Sequence, residues 1–516
     1  MNHLRTLLLL LLAVGLLTWC WRQSRPQVFP DVPHGQFACL SYSPPGDDAL
    51  EPGTDAYRQV VRAQIERDLQ QLSVRTHCVR TYSVANELDY VPEVARRLGM
   101  RVLLGLWVSR NAGSNETEIA HGIEVAKANR DVIDAVVVGN EVLLRHEQSA
   151  GALQGLLTRV HTETQLPVTY ADVWEFWLRN PQLAQSVDFI TIHILPYWED
   201  FPIDIDHALD HVRNVYDKVA GQFPGKRILV GEVGWPSAGR QRQGAIPSLM
   251  NQARFTREFI AFADAGRIPY NFIEAYDQPW KRGLEGTVGG NWGLYTADGR
   301  EKFALTGSLI PDPHWWRGWL TAVAGALLMG LWSWFRHRDI GAGLGNALLG
   351  AALGTLLVLQ WQYVQEGCRN EREWLAMSLF ALTGFLIVLC EVFAPDEHLT
   401  KTLTRWRSVL WLIFLVMLAY INLGLTFESR YRDFPSIFLA LPLVTVLFAR
   451  IEVSPHWQGV AQLLVGWLCL SALLIPLLEK LTNHSALIWS GLCLLTGGRW
   501  LWLLRTGFVR QEHRAE

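Results

Sequence analysis

The sequence predicts an α/β protein, in which a (β/α)8 TIM barrel is followed by an all-α transmembrane helix bundle. Two β-branched runs, residues 136–142 and 227–237, are typical of buried parallel strands, and each ends near a glutamate. Strand patterns alternate with amphipathic helix patterns from residue 34 to about residue 310. Apolar runs of membrane length follow Pro313. The predicted domains are an N-terminal signal anchor and linker (1–33), the barrel (34–312) and a C-terminal membrane domain of about seven helices (313–516).

Composition limits the classes of protein that the chain can belong to. Its 516 residues predict at least two structural regions. A formal net charge of −3, without any Lys/Arg-rich run, argues against nucleic acid as a partner. The hydrophobic fraction of 50% and the 23 tryptophans are high for a soluble protein and favour a membrane-embedded part.

The N-terminus reads as a signal peptide or a signal anchor. Arg5 precedes an almost wholly apolar run at 6–21, but no small-residue cleavage site follows it. Residues 17–20 have the outline of a lipoprotein box, although Trp19 is too large for one. We therefore expect an uncleaved anchor, joined to the barrel by a proline-rich linker.

Eight strands and the helices between them can be placed in the barrel region. The strands are predicted at 37–42, 76–82, 100–108, 136–142, 167–171, 187–195, within 227–237 and at 270–276, and the helices at 60–72, 88–98, 119–129, 205–220 and 252–265. Polar residues at the carboxyl ends of such strands form the functional face of this fold. Glu141 and Glu232 are therefore expected on one face.

Seven apolar runs in the C-terminal region are candidate membrane spans, and the anchor adds an eighth. They are 319–335, 340–364, 374–393, 409–427, 437–449, 457–478 and 486–504, of which 437–449 is the weakest. Tryptophans flank several runs, as in an aromatic belt. The small residues at 350–354 suit a close helix contact.

Loop charges predict the orientation of the chain in the membrane. Arg336, His337 and Arg338 follow the first C-terminal run, and further Lys and Arg residues recur on the same side. This places the barrel outside the cytoplasm, which means the periplasmic side of an inner membrane. The loops with Glu428, Arg430 and Arg432 and with Glu366 and Arg369 fall on the barrel side.

The two glutamate segments also carry a family resemblance. The strings VVVGNEV at 136–142 and GEVGWPS at 231–237 resemble the paired signatures of glycoside hydrolase family 17, the β-1,3-glucan hydrolases and transglucosylases, and the resemblance covers about residues 34–310. The chain resembles the bacterial membrane-anchored, β-(1,6)-glucan synthase-like members. The resemblance implies a retaining glycosidase or transglucosylase with Glu141 as general acid/base and Glu232 as nucleophile, the acid having a raised pKa.

The resemblance also implies substrate-binding residues at the strand ends. Asn140 stands beside the acid, where the amide hydrogen-bonds a sugar hydroxyl in related enzymes. His193 replaces the asparagine of many members, which leaves the hydrogen-bond partner of the nucleophile unassigned. The remaining candidates are Tyr42, Arg80, Tyr82, Tyr197, Trp235, Glu274, Asp277 and Lys281. Aromatic side chains at the strand ends could stack on sugar rings, but we expect half of them to serve only in packing.

The sequence predicts no cofactor and no metal site, and it favours free cysteines over a disulfide. The seven cysteines lack metal-ligand spacing, so we predict no metal and no cofactor. Cys39 and Cys78 fall on neighbouring predicted strands and would pair in an oxidising compartment, but we favour buried thiols. The expected partners are a β-glucan oligo- or polysaccharide, membrane lipid and an envelope glucan-synthesis machinery.

A second hypothesis, from another class, is a glucan export or assembly partner in which the membrane helices do the work and the barrel binds product. A non-catalytic binding module is disfavoured because it does not require both glutamates. The sequence does not distinguish hydrolysis from transglycosylation.

Overall fold

The computed structural model describes residues 2–45, 51–336, 339–393, 400–427, 434–448, 455–479 and 481–515. Several charges used to predict the orientation, namely His337, Arg338, Glu428, Arg430 and Arg432, lie outside these residues.

The chain divides into two compact units. One consists of Val28–Ala238 and Ala245–Leu309, and the other of Met1–Gln27, Gly239–Gly244 and Ile310–Glu516. The second unit begins with the apolar helix α1, Asn2–Arg22.

The first unit contains a parallel sheet that forms a nearly closed barrel. Seven strands, β2 to β8 below, lie side by side in chain order, each parallel to the next, as the predicted α/β barrel requires. A separate two-stranded sheet joins β1 and β9. The strands are β1 Gln27–Val28, β2 Leu40–Ser41, β3 Cys78–Arg80, β4 Arg101–Leu106, β5 Ile133–Asn140, β6 Val168–Val173, β7 Ile190–His193, β8 Ile228–Glu232 and β9 Ser308–Leu309.

The eighth predicted strand, at 270–276, is shorter than expected. In the described structure this segment forms only isolated bridges, which join Tyr270 to β8, Phe272 to β2 and Tyr276 to Tyr295. The Asn271 N–H donates to the Val230 carbonyl (2.8 Å) and the Phe272 N–H to the Cys39 carbonyl (2.9 Å). The segment therefore closes the gap between the first and last strands of the sheet without forming a regular ladder.

Helices cover the outside of the barrel, and their starts follow sequence signals. Thr54, Asn111, Ser149, Asp204 and Ser248 each accept a hydrogen bond from a backbone N–H in the first turn of the helix that follows. The helices are α2 Asp55–Leu72, α3 Val91–Arg97, α4 Ala112–Ala128, α5 Ala150–Thr164, α6 Trp174–Arg179, α7 Ile205–Gln222, α8 Leu249–Gly266 and α9 Arg282–Glu285, with short 3-10 helices at Pro33–Gly35, Leu88–Tyr90, Pro181–Ser186, Pro279–Lys281 and Thr287–Gly290.

The interior of the barrel is a packed core. Side chains alternate between the two faces of a strand, so every second residue points inward. The inward cluster consists of Cys39, Leu103, Ala135, Val137, Ala171, Phe189 and Leu229, with Cys78 packed against it. Polar side chains follow this apolar cluster toward the carboxyl ends of the strands.

Cys39 and Cys78 form a disulfide within this core, so the preference for free thiols was wrong. The two residues belong to the neighbouring, parallel chain segments around β2 and β3, and their Cα atoms are 4.5 Å apart. That separation lies in the range that a disulfide bridges. Sequence spacing alone does not show which side of each strand a thiol occupies.

Replacing both cysteines by serine is expected to lower the free energy of unfolding of the barrel by about 2–4 kcal/mol, because the bond closes a long loop in the unfolded chain. Thermal unfolding of the oxidised protein and of the double variant measures the difference. Wild-type protein under reducing conditions serves as the matched control and should show the same shift. Equal midpoints in all three samples would contradict the expectation.

The second unit contains the long apolar helices. They are α10 Trp316–Phe335, α11 Ile340–Gly367, α12 Glu371–Phe393, α13 Thr400–Phe427, α14 Ala440–Phe448, α15 Pro455–Glu479 and α16 His484–Ala515, with a 3-10 helix at Ser436–Phe438. With α1, seven helices in the described chain are long and apolar enough to cross a membrane. Within the predicted span at 437–449, the described residues form part of a 3-10 helix and the short α14, so the eighth span stays a prediction.

Close contact between α10 and α11 depends on glycine. A Cβ on Gly325 would lie 2.1 Å from the Gly350 carbonyl oxygen, and one on Gly354 would lie 2.0 Å from the Thr321 carbonyl oxygen. Any larger side chain would separate the two backbones. The small residues at 350–354 therefore form the predicted helix contact.

Candidate active site

Glu141 stands on an irregular turn at the carboxyl end of β5. The pairing of β5 with β6 changes register between Val137 and Asn140. Gly139 and Glu141 have φ values of 83° and 53°. Left-handed backbone is unusual for a glutamate, and such positions concentrate at functional sites. This local bend aims Asn140 and Glu141 at the mouth of the barrel.

Two side chains of β6 hydrogen-bond the backbone just after Glu141 and so hold its turn in place. The Leu143 N–H donates to the Tyr170 hydroxyl (2.9 Å) and to Asp172 (3.2 Å). The Tyr170 hydroxyl in turn donates to Asp172. Burial raises the pKa of Asp172 to about 6, against the lowering effect of the Tyr170 hydrogen bond. Sequence reasoning missed this support, although Asp172 follows a predicted strand.

Glu232 ends β8 and is almost fully buried, with 4% of its surface exposed. A Cβ on the preceding Gly231 would lie 2.2 Å from the methyl group of Thr191, so only glycine fits there. The Tyr82 hydroxyl donates to Glu232 Oε1 at 3.0 Å. The nucleophile candidate is thus fixed by its strand and by a hydrogen bond.

The two glutamates converge. Carboxylate oxygens of Glu141 and Glu232 lie within 4.8 Å of each other and of a ring nitrogen of His193. Two carboxyl groups about 5–5.5 Å apart are the arrangement of retaining glycosidases, whereas inverting enzymes separate them by about 6.5–9.5 Å. The geometry therefore suits a double displacement.

His193, at the end of β7, lies between the two carboxylates. Its Nδ1 is 3.0 Å from Glu141 Oε1, and its Nε2 is 3.6 Å from Glu232 Oε1. The side chain of His193 is completely buried. The sequence departure at this position thus puts a titratable group in direct contact with the acid/base candidate.

Arg80 organises the floor of the site. One terminal nitrogen, Nη1, donates to the Gly231 carbonyl (2.8 Å) and lies 3.4 Å from Glu232 Oε1. The other, Nη2, donates to Asn140 Oδ1 at 2.6 Å. The side chain is 1% exposed, so Arg80 acts here by positioning the other groups.

The pKa of Glu141 is shifted downward in the structure, whereas the sequence predicts an upward shift. Burial pushes the pKa of this carboxyl upward, but the hydrogen bond and charge of His193, together with Arg145 and Arg80, outweigh burial and leave the pKa lowered. The expected raised pKa is therefore wrong for the substrate-free site, because the sequence did not place His193 against the acid.

A further acidic cluster lies beside Glu232. Lys281 Nζ is 2.8 Å from Glu274 Oε2, and burial raises the pKa of Glu274 despite this ion pair. Sequence reasoning missed Glu285 on α9. Burial raises the pKa of Glu285 to about 7, opposed by Lys281 and reinforced by the charges of Glu274, Glu141 and Glu232. Its only sequence signal is a spacing of four residues from Lys281.

Other predicted substrate contacts are buried behind the site. Tyr42 has no exposed surface and donates to Asp68 (2.9 Å), and Trp235 is equally buried and donates to the Ile246 carbonyl (3.1 Å). Tyr197 is 1% exposed within an aromatic group that includes Trp198 and Trp292, and Asp277 pairs with Lys302 at 2.6 Å. All four side chains are buried in this structure, and substrate contact at these positions stays a prediction.

Trp107 follows β4 and is 40% exposed. The Arg145 guanidinium lies 4.3 Å from the centroid of its ring, within the roughly 6 Å of a cation–π contact. Arg145 also donates to the Asn140 carbonyl. An aromatic surface thus adjoins the acid/base candidate.

The donor set of Glu141, His193 and Glu232 would also suit a metal ion by its chemistry alone. Arg80 argues against that use. Its guanidinium lies 3.4 Å from Glu232 and 3.5 Å from His193, so a fixed positive charge already faces the same atoms.

A barrel that brings two glutamates together at the carboxyl ends of its strands is the active-site architecture of a glycoside hydrolase. Comparison with known proteins adds a family likeness. Residues 39–293, just under half of the chain, match the BtgE/BtgC glycoside hydrolase domain, so the barrel is similar to that domain.

Three fungal proteins are similar to the barrel region of this chain. A glucan 1,3-beta-glucosidase of Arthroderma benhamiae is 25% identical over 260 residues, 47% of this chain and 84% of the relative. One of Saccharomyces cerevisiae is 24% identical over 46% of this chain and 84% of the relative. A probable beta-glucosidase, btgE, of Aspergillus clavatus is 29% identical, and the match covers 40% of this chain and 37% of that longer protein.

Among solved structures, a glycoside hydrolase family 17 beta-1,3-glucanosyltransferase of Rhizomucor miehei superimposes with a TM-score of 0.46 and 26% identity, covering 53% of this chain and 98% of that one.

Replacing Arg80 by methionine is expected to destabilise the barrel by about 3–5 kcal/mol, because Glu232 then loses the cation of a buried pair. Arg80→Lys keeps the charge but not the two-pronged geometry, so it should fold and yet bind Asn140 and Glu232 poorly. Thermal unfolding and turnover measure the two effects.

Arg75→Met is the matched control, since Arg75 pairs with Glu301 near the surface, where loss of one ion pair costs little stability. An Arg80→Met variant as stable as this control would contradict the role given to Arg80.

Proposed function

We propose that the protein is a membrane-tethered retaining glycosidase or transglucosylase that acts on β-1,3-glucan outside the cytoplasm. The observation that carries the proposal is the convergence of Glu141 and Glu232 within 4.8 Å at one end of the barrel. Glu141 is the general acid/base, and Glu232 is the nucleophile.

The reaction proceeds in two displacements. Glu232 attacks the anomeric carbon while Glu141 protonates the departing glycosidic oxygen, which leaves a covalent glucosyl-enzyme. Glu141 then removes a proton from water or from a sugar hydroxyl, and that oxygen displaces Glu232 from the anomeric carbon. Water as acceptor gives hydrolysis, and a sugar hydroxyl gives transglycosylation.

The site supports these roles by fixed contacts. Arg80 and Tyr82 hold the Glu232 carboxylate, and Arg80 turns the Asn140 amide toward the mouth. Asn140 in this position hydrogen-bonds a sugar hydroxyl. Orientation of this kind lowers the barrier because little reorganisation remains when charge develops.

The proposed substrate is supported by the names of the relatives. The Arthroderma benhamiae and Saccharomyces cerevisiae proteins are glucan 1,3-beta-glucosidases, which supports a β-1,3-glucan for this chain. Formation of β-1,6 branches is the finer proposal, and it extends the family resemblance of the sequence. The glucan, membrane lipid and an envelope glucan-synthesis machinery are the proposed partners.

Location in an inner membrane, with the barrel on the periplasmic side, completes the proposal. Seven helices of suitable length and apolarity support a multi-pass membrane protein. The disulfide between Cys39 and Cys78 supports an oxidising compartment for the barrel, since such bonds are rare in a reducing cytosol.

The test uses the full-length protein in detergent with a β-1,3-linked gluco-oligosaccharide, and products are analysed by mass and linkage. Longer products with new linkages identify a transglucosylase, and shorter products alone identify a hydrolase. The control is an equally folded Glu232→Ala variant. Absence of turnover by folded wild-type protein would refute the proposal and favour a glucan export partner.

A further inference from the structure

His193 offers more than packing, because its two ring nitrogens face the two glutamates separately. Nδ1 is 3.0 Å from Glu141 Oε1, which is hydrogen-bond distance, whereas Nε2 is 3.6 Å from Glu232 Oε1. The ring is completely buried, so bulk water does not compete for either nitrogen. A proton on the Glu141 side of the ring can therefore pass directly between imidazole and carboxyl.

Two arrangements of protons fit these contacts. In the first, a charged imidazolium donates from Nδ1 to an ionised Glu141 and points its Nε2–H at Glu232. In the second, the Nδ1 proton has moved to Glu141, and the neutral ring keeps its Nε2–H toward Glu232. Only one proton has moved, across the 3.0 Å contact, and Glu141 has become an acid.

The charge balance of the site permits both arrangements. The first sets the positive charges of His193 and Arg80 against two carboxylates, and the second sets Arg80 against Glu232 alone. The groups that face the imidazole or influence its charge are Arg80 from β3, Glu141 after β5, Asp172 from β6 and Glu232 from β8. Neither arrangement leaves the Arg80–Glu232–His193–Glu141 group with a net charge.

Exclusion of water favours the second arrangement. A buried ion pair pays a large desolvation penalty, and a neutral acid beside a neutral imidazole does not. A sugar chain seated over the mouth removes the remaining water from Glu141, whose side chain is 23% exposed in the free protein. The 3.0 Å contact therefore allows the proton to lie on the ring before binding and on the carboxyl once a sugar covers it.

We propose that His193 is a positioning residue that stores the catalytic proton of Glu141 and returns it to the carboxyl when the glucan binds. This inference rests on the proposed function. The proton leaves Glu141 for the glycosidic oxygen as the bond from that oxygen to the anomeric carbon breaks. It is replaced by the proton of water or of a sugar hydroxyl as the bond to Glu232 breaks, so the pair gains and loses no proton over a cycle.

The pH dependence of kcat/KM distinguishes this role from packing. In wild-type protein, kcat/KM falls on the alkaline side of the profile, its alkaline limb, when the single proton shared by His193 and Glu141 is lost. Because the two groups share that proton, the ionisation is a property of both residues together. In His193→Asn and His193→Gln the carboxyl holds its proton alone. The alkaline limb should therefore move by about one pH unit or more from its wild-type position, whereas a histidine that only packs would leave it in place.

The experiment compares full-length wild type, both His193 variants and His121→Asn in detergent. A β-1,3-gluco-oligosaccharide needs an acid for its leaving group, whereas 2,4-dinitrophenyl β-laminaribioside does not. The His193 variants should lose about tenfold in kcat/KM on the oligosaccharide for each pH unit above the new limb, and keep wild-type values on the activated substrate. His121, an exposed partner of Asp89, is the matched histidine–carboxylate control and should leave both profiles unchanged.

Two results would overturn the inference while leaving the proposed function intact. One is an alkaline limb that stays at its wild-type pH in both His193 variants. The other is an equal loss on both substrates at every pH, which would indicate a purely structural histidine. Folded wild-type protein that turns over neither substrate would overturn the proposed function and the inference together.

Discussion

Replacing Glu232 by alanine is expected to reduce turnover of β-1,3-gluco-oligosaccharides by roughly 10⁴- to 10⁶-fold, the scale on which loss of a nucleophile is felt. The reason is that no other carboxylate in the described site occupies its place. Glu274 is tied to Lys281, and Glu141 is tied to His193. Initial rates measured with purified full-length protein give the loss directly.

Azide provides the control for this variant. A small anion that fits the space left by the Glu232 side chain should restore turnover and give an α-glucosyl azide, because it attacks the face that Glu232 normally attacks. A β-glucosyl azide would instead place Glu232 in the acid/base role. Unchanged turnover of Glu232→Ala would contradict the assignment altogether.

Replacing Glu141 by alanine is expected to lower kcat/KM for oligosaccharides by roughly 10²- to 10⁴-fold, the usual contribution of a general acid. The loss should depend on the leaving group. A dinitrophenolate departs without a proton, so its release from the anomeric carbon should remain fast, and the glucosyl-enzyme should then accumulate because no base activates water. A rapid first turnover followed by a slow steady state is the measurement.

Glu147→Ala is the matched control for Glu141. Glu147 is a nearby carboxylate that pairs with Arg145 at 2.8 Å and does not contact His193 in the described structure. Its loss should leave the oligosaccharide rate within a few fold of wild type. Equal losses on both substrates in Glu141→Ala would exclude an acid/base role for Glu141.

The barrel was largely predictable because its strands are continuous apolar runs. Seven of the eight predicted strands form the parallel sheet in chain order. The eighth was predicted as a strand over 270–276, but its role is to bridge β8 and β2 at single residues. Sequence pattern reports that a segment is apolar and buried, and it does not report how many residues find a partner.

The preference for free thiols was wrong, and the eighth membrane span stays a prediction. Whether Cys39 and Cys78 meet depends on the register of two adjacent strands, which residue identity alone does not determine. In the run at 437–449, the longest helix among the described residues is α14, Ala440–Phe448. A helix of this length is shorter than the roughly 20 residues that cross a membrane.

The sequence predicted which site residues lie at strand ends, but it did not predict which side chains they contact. The approach of Glu141 to Glu232 follows from barrel closure, and their catalytic roles remain predictions. Tyr42 and Trp235 lie in matching sequence patterns but turn into the core. His193 appeared in the sequence only as a departure from family pattern, and its place between the two carboxylates needs the three-dimensional arrangement of β5, β7 and β8.

The most direct test of the account is to trap the covalent intermediate. Full-length protein is incubated with 2,4-dinitrophenyl 2-deoxy-2-fluoro-β-laminaribioside. Its fluorine slows both displacements, and its activated leaving group restores the rate of the first, so the glycosyl-enzyme accumulates. Peptide mass spectrometry after digestion should find the fluorinated disaccharide on Glu232, at one equivalent per chain, and none in Glu232→Ala. Label on another residue, or steady turnover of the oligosaccharide without any labelled peptide, would contradict a double displacement through Glu232.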